Sequence, residues 1–270
     1  MTTAALPKQP RPSKLRILCF GDSLTAGYCS MGAMFHPYHE RLEQMLAMAF
    51  PDIAFETVED GVPGDTVRFG FMGRMYHHFP QKNAKILQNQ ADTNGYDWTI
   101  VLGGTNDIAM GVPPEEIYNT LKEVWDYALV NNSKVLALTV PEAALDPSAL
   151  RERLAARRNK LNDLIRSHKA DNFHVFDLHA ALPYLSMTPS DRQRYWDDTV
   201  HFTPAGYDLI GNKVGMALVK LLEAEGLGTP PRLPKRRRMF KDDDLEFEEE
   251  NGDETEISKG YVVVRRADLD

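Results

Sequence analysis

Five short apolar runs, Leu15 to Phe20, Ile53 to Val58, Trp98 to Leu102, Lys134 to Val140 and Phe173 to Leu178, recur along the chain with helical patterns between them. This alternation restricts the fold more than any other feature, because strands separated by helices pair in parallel and are covered on both faces. The near-continuous Val, Ile and Leu of these runs suits strands buried on both sides. Of the helices, Pro37 to Phe50 carries Tyr38, Leu42, Met45, Leu46 and Ala49 three and four residues apart, a single buried stripe that Pro51 ends. Pro113-Pro114-Glu115-Glu116 opens another, with proline in the first turn and acids that complement the helix dipole. The last helix starts from a Thr203 cap with Pro204 at its first position and runs to Gly226, with Leu209, Ile210, Val214, Ala217, Leu218, Leu221 and Leu222 on its core face. The predicted fold class is α/β with a mainly parallel five-stranded sheet.

Lys14 is the expected start of the folded part. Residues 1–13 read as a disordered arm, 14–228 as one domain and 229–270 as a charged, disordered tail in which Lys235-Arg236-Arg237-Arg238 precedes an acidic run from Asp242 to Glu256. The net charge is −8, and no basic stripe runs through the periodic region, so nucleic acid is not an expected partner of the domain. A small, neutral or mildly polar molecule fits better. Met1 to Pro10 lacks the apolar segment of a signal peptide, and no stretch approaches the ~18 apolar residues of a membrane span. With only Cys19 and Cys29, both read as free thiols, the expected location is intracellular and cytoplasmic, with the nucleus as the alternative if the Lys235–Arg238 cluster acts as a localisation signal.

Gly21-Asp22-Ser23-Leu24 follows the first run directly and puts Ser23 at a strand exit, where it is a candidate nucleophile. A serine there ordinarily caps a turn, so partners decide its meaning. Asp198 and His201, three residues apart in the loop before the last helix, supply them: the carboxylate can fix the tautomer of the imidazole and leave its other nitrogen to take a hydroxyl proton. Asp197 is the rival acid, and spacing favours Asp198. Two further loops at strand ends offer donors for an oxyanion. Gly64, in Gly61-Val62-Pro63-Gly64-Asp65, permits a tight turn with its N–H bare, and Asn106, in Gly103-Gly104-Thr105-Asn106-Asp107, brings a neutral amide.

These four segments, in this order, resemble the four sequence blocks of the SGNH (GDSL-type) hydrolases. The resemblance spans about Lys14 to Leu227 and departs at Pro63, where the family often has a polar residue. It implies a flavodoxin-like three-layer α/β/α sandwich and a serine esterase mechanism. Ser23, Asp198 and His201 would form the triad, and Ser23 N–H, Gly64 N–H and Asn106 the oxyanion hole. Gly27-Tyr28 and His36-Pro37-Tyr38 look most like intracellular fungal members.

No GxSxG, Walker A, GxGxxG or zinc-ligand spacing occurs, so no cofactor and no metal are expected. His77-His78 reads as solvated, and His36, His39, His168, His174 and His179 as surface or packing residues. Asp22 and Asp107 read as structural loop acceptors. Met31, Met34, Met72 and Met75 with Phe35, Phe69, Phe71 and Phe79 read as core, with an apolar wall for an acyl chain as the second reading. The expected activity is hydrolysis of a small carboxylic ester with a short acyl group. The alternatives are a lysophospholipase or thioesterase for longer chains and an idle scaffold binding through its tail. Oligomeric state is not legible in the sequence.

Overall fold

The computed structural model describes residues 12–79, 95–143 and 149–227. The first eleven residues of the predicted arm, the predicted tail and the Lys235–Arg238 cluster lie outside them. In chain order the elements are β1 (Lys14–Gly21), α1 (Ser23–Ala26), a small hairpin of β2 (Tyr28–Cys29) and β3 (Met34–Phe35), α2 (Tyr38–Ala49), β4 (Ala54–Gly61), α3 (Met72–His78), β5 (Trp98–Leu102), α4 (Thr105–Met110), α5 (Pro114–Val130), β6 (Lys134–Leu138), α6 (Ala149–Ser167), β7 (Phe173–Phe176), α7 (Leu178–Ala181), α8 (Pro189–Tyr195) and α9 (Pro204–Ala224).

All five expected strands form one sheet in the order β4-β1-β5-β6-β7, every pair parallel. The order is that of flavodoxin-like doubly wound sheets, whose ligands sit beyond the carboxyl ends of the strands where the winding reverses. Here the reversal falls between β1 and β5. Strand ends differ from expectation by a few residues for local reasons. The fourth and fifth strands stop at Leu138 and Phe176 because side chains take over there: Thr139 donates to the Asp177 carboxylate at 2.8 Å, and Asp177 caps α7 through the Ala180 amide.

The alternation within β1 shows how both faces become buried. Leu15, Ile17 and Cys19 face a core built with Leu42 and Leu46 of α2 and Ile210, Val214 and Leu218 of α9, whereas Leu18 and Phe20 face Met75 of α3, Trp125 of α5 and Leu161 and Ile165 of α6. This is the expected three-layer sandwich. Thr203 caps α9 as predicted, its hydroxyl accepting from the Gly206 amide at 3.2 Å.

Registry then sets the level of the strand ends. Gly21 pairs with Gly61 of β4 and with Leu102 of β5, so three neighbouring strands finish side by side. A Cβ on Gly21 would lie 2.4 Å from the Leu102 carbonyl oxygen, too close to be accommodated, and only glycine lets β1 end against β5 there.

Candidate active site

Three loops leave this common edge within four residues of it, and each carries one of the singled-out residues. Ser23 stands two residues beyond Gly21, in the first turn of α1. Asp22 caps that turn by accepting from the Leu24 amide at 2.9 Å, and Gly27, at φ +74°, ends it. A helix of only four residues so fixed at both ends leaves Ser23 almost wholly buried with its hydroxyl directed at one neighbour. That neighbour is His201: its Nε2 lies 3.0 Å from Ser23 Oγ, and its Nδ1 lies 2.8 Å from Asp198 Oδ2.

Asp198 is itself held. Its Oδ1 accepts from the Val200 and His201 amides, both at 2.7 Å. Burial raises its pKa, but the hydrogen bonds from the His201 amide and ring and from Val200 outweigh that and leave it below the usual carboxylate range. An ionised Asp198 favours the tautomer with its proton on Nδ1, the one in which the Nε2 lone pair faces the serine hydroxyl. Asp197, the rival acid, turns away and accepts from the Ser30 amide at 2.6 Å. The ring of Tyr28 lies over His201, centroids 4.5 Å apart, and the Tyr28 carbonyl accepts from the Tyr207 hydroxyl.

The glycine and asparagine loops meet on the other side. Gly64 adopts φ +79°, a conformation that explains the glycine, since a Cβ there would touch nothing within 4 Å. Asn106 Nδ2 donates to the Asp65 carbonyl at 2.7 Å, which binds the two loops together and commits one of its two amide hydrogens. Among the described residues, the Ser23 and Gly64 amides donate to no protein acceptor. Asp107 is an acceptor, as expected, taking the Val67 and Arg68 amides at 2.9 and 3.2 Å.

One central residue gave no signal in the sequence. Arg74, on α3, donates from Nε to Asp65 Oδ2 at 2.9 Å, from Nη1 to the carbonyl and carboxylate of Asp60 and from Nη2 to the Gly21 carbonyl at 2.7 Å. Its guanidinium also lies over the Phe20 ring, 4.4 Å from the centroid. It therefore ties the end of β1, the end of β4 and the Gly64 loop into one unit. No motif surrounds it.

Some expectations need correction. His78 is not solvated: it is largely buried, with Nε2 2.6 Å from Asp60 Oδ2 and Nδ1 3.2 Å from the Tyr96 hydroxyl, while His77 is exposed. His36, read as a surface or packing residue, is partly exposed and pairs with Asp208 at 2.9 Å and 172 residues away, beyond any local spacing rule. The methionines and phenylalanines divide. Phe71, Met75 and Phe79 are core, whereas Met31, Met34, Phe35 and Phe69 are exposed, Met31 at 91%.

Asp22 has a further property. It is wholly buried, one carboxylate oxygen has no partner, and burial together with Asp107 and Asp65 pushes its pKa up to about 7 against the pull of the Leu24 amide and Arg74. The native state thus keeps a proton that the unfolded chain releases near pH ~4, so this group's contribution to stability falls as pH rises from there through about 7. Asp22→Asn should remove that fall. Urea midpoints at about pH 5 and about pH 8 test it: the loss of stability between them should be smaller in the variant than in the wild type, and equal losses would refute it.

A doubly wound parallel sheet that lines up a serine hydroxyl, an imidazole and a carboxylate at its switch point is the framework of a carboxylic ester hydrolase. The chain belongs to the GDSL-like lipase/acylhydrolase family, whose sequence profile matches residues 19–209. Among curated proteins, none matches the sequence significantly. Similar solved structures include Axe2, an acetylxylan esterase from Geobacillus stearothermophilus, at 18% identity and a TM-score of 0.54, covering 75% of this chain and 93% of that one. A lipase/acylhydrolase from Enterococcus faecalis is 23% identical with a TM-score of 0.51, covering 77% and 96%. At these identities the shared property is the fold.

Proposed function

We propose that Ser23, His201 and Asp198 act as a catalytic triad that hydrolyses a carboxylic ester of a short acyl group through an acyl-enzyme. The observation that carries this reading is the unbroken line from Ser23 Oγ through His201 to Asp198, with contacts of 3.0 and 2.8 Å. Ser23 Oγ attacks the carbonyl carbon while His201 Nε2 takes the hydroxyl proton. The tetrahedral intermediate collapses by breaking the bond to the alkoxy oxygen, which receives that proton and leaves as the alcohol. Water then attacks the acyl-enzyme, gives a proton to Nε2 and displaces Ser23 Oγ, which takes the proton back as the acid departs. The oxyanion is received by the Ser23 and Gly64 amides and by the second hydrogen of Asn106 Nδ2. Support for the donor set comes from the two unpaired amides and from the Asn106–Asp65 bond that aims the side chain.

The test is turnover of nitrophenyl acetate through nitrophenyl octanoate by the wild type and by Ser23→Ala; equal rates on every ester overturn the reading. We further propose an intracellular location, a view supported by Cys19 and Cys29, both buried and free.

Arg74 is then a positioning residue, which touches no reacting atom but sets the relative place of Ser23 and Gly64. Lysine keeps the charge and cannot reproduce the fork. Arg74→Lys is expected to lower kcat by about tenfold or more with KM changed less than about twofold, because misplacement of preorganised donors costs transition-state rather than substrate binding. Steady-state kinetics well below the melting temperature check this, and a rise in KM with kcat intact would contradict it.

A further inference from the structure

His201 is contacted from three directions. Asp198 meets Nδ1 and Ser23 meets Nε2, while the Tyr28 ring lies over the imidazole with centroids 4.5 Å apart and planes tilted by 43°. Tyr28 is fixed there by its own surroundings. It pairs with Phe35 across the β2–β3 hairpin, and the Phe35 ring stands edge-on to it at 5.9 Å. The Gly32 backbone lies so near the phenol ring that a Cβ would come within 2.9 Å of Cε2. The Tyr28 carbonyl accepts from the Tyr207 hydroxyl at 2.8 Å, which ties the hairpin to α9. The turn of the hairpin is clamped as well. Ser30 and Met31 adopt φ of 52° and 54°, a costly conformation for residues with a Cβ, and the Ser30 amide donates to Asp197 at 2.6 Å. Asp197 thus joins the loop of His201 to the turn that carries Tyr28 against it.

From this contact we propose that the Tyr28 ring stabilises the imidazolium that His201 becomes in each proton transfer, and so speeds both halves of the ester hydrolysis. The inference rests on the acyl-enzyme reading above and adds a residue to it. An aromatic ring carries negative potential on its face and attracts a cation within about 6 Å of its centroid. Neutral imidazole gains little from it. The contact is therefore stronger in the transition state than in the ground state, which is the condition for raising kcat without tightening substrate binding. The charge has an opponent close by, because α9 begins at Pro204 and the positive end of its dipole disfavours a cation in the preceding loop. Asp198 offsets that field at Nδ1, and Tyr28 from beside the ring. Tyr28 acts through His201 and is a positioning residue in kind. The ring alone carries the effect, so the hydroxyl is dispensable.

Kinetics on nitrophenyl acetate test this. Tyr28→Leu should lower kcat about five- to tenfold with KM changed less than about twofold, and Tyr28→Phe should stay within about twofold of the wild type. Phenylalanines with one, two and five ring fluorines, introduced at position 28, keep the shape of the ring and progressively remove the negative potential of its face. Along that series kcat should fall stepwise, ending near the Tyr28→Leu value. A merely structural contact would leave the series flat. Melting curves identify any variant that loses its fold, and the fluorinated set decides the matter even if Tyr28→Leu does. A flat series, a loss confined to KM, or a Tyr28→Phe variant as slow as Tyr28→Leu overturns the role of the ring while leaving the esterase reading intact. A wild type no faster than Ser23→Ala on every ester is a different result, and overturns both.

Discussion

Ser23→Ala is expected to reduce kcat on a nitrophenyl ester by about 10⁵-fold or more, an effect that loss of His201 should match. The magnitude follows from the role: in a serine hydrolase the nucleophile and its base act as a unit, and losing either costs about as much as losing the whole triad. The variant should keep its fold, because removing one buried hydroxyl leaves the Asp22 cap and the Gly27 turn of α1 in place. A second consequence discriminates further. The double variant Ser23→Ala, His201→Ala should be no slower than Ser23→Ala alone, since the base has nothing left to activate. Multiplicative losses in the double variant would mean that His201 acts independently of Ser23 and that their 3.0 Å contact is not the working one.

Asn106→Ala comes next, with an expected loss of about 10²- to 10³-fold in kcat and little change in KM, the usual cost of one oxyanion donor. The structure complicates the measurement in a useful way. On the proposed mechanism Asn106 has two jobs, since one amide hydrogen already binds the Asp65 carbonyl and so ties the glycine loop to it. Alanine removes both. Arg74 holds the same loop through the Asp65 carboxylate, so Arg74→Lys disturbs the loop while leaving the Asn106 donor in place. If Asn106 served only to position that loop, the two substitutions would cost the same; a loss at Asn106 larger by about tenfold or more assigns the remainder to a direct hydrogen bond with the oxyanion. Single-turnover rates on one ester separate the two.

What could be read from the sequence, and what could not, divides along a physical line. The five strands, the Thr203 cap and the helical stripes are local patterns of hydrophobicity and capping, and the structure reproduces them to within a few residues. Ser23, Gly64, Asn106, Asp198 and His201 were singled out because four short segments stand together in the order of a known family's blocks, and the structure brings Ser23, His201 and Asp198 into one hydrogen-bonded line and ties Asn106 to the loop of Gly64. Arg74 and His78 were not. Their meaning lies in contacts with Gly21, Asp60, Asp65 and Tyr96, which tertiary packing alone creates, and a buried arginine clamp has no spacing rule. The same holds for His36 with Asp208. The split of the methionines and phenylalanines between core and surface was hidden for another reason: long connections have no period from which a buried face can be inferred.

The level ends of β4, β1 and β5 bear on how the protein comes to be active at all. Ser23 and His201 are 178 residues apart in the chain, Asn106 and Asp65 are 41 apart, and none of these contacts has a local substitute. Helices can form early from nearby residues, but parallel pairing waits on the closure of long loops. Partly folded forms with most of their helix would therefore have the serine without its base and the asparagine without its loop. On the proposed mechanism, the nucleophile is then armed only by the completed topology.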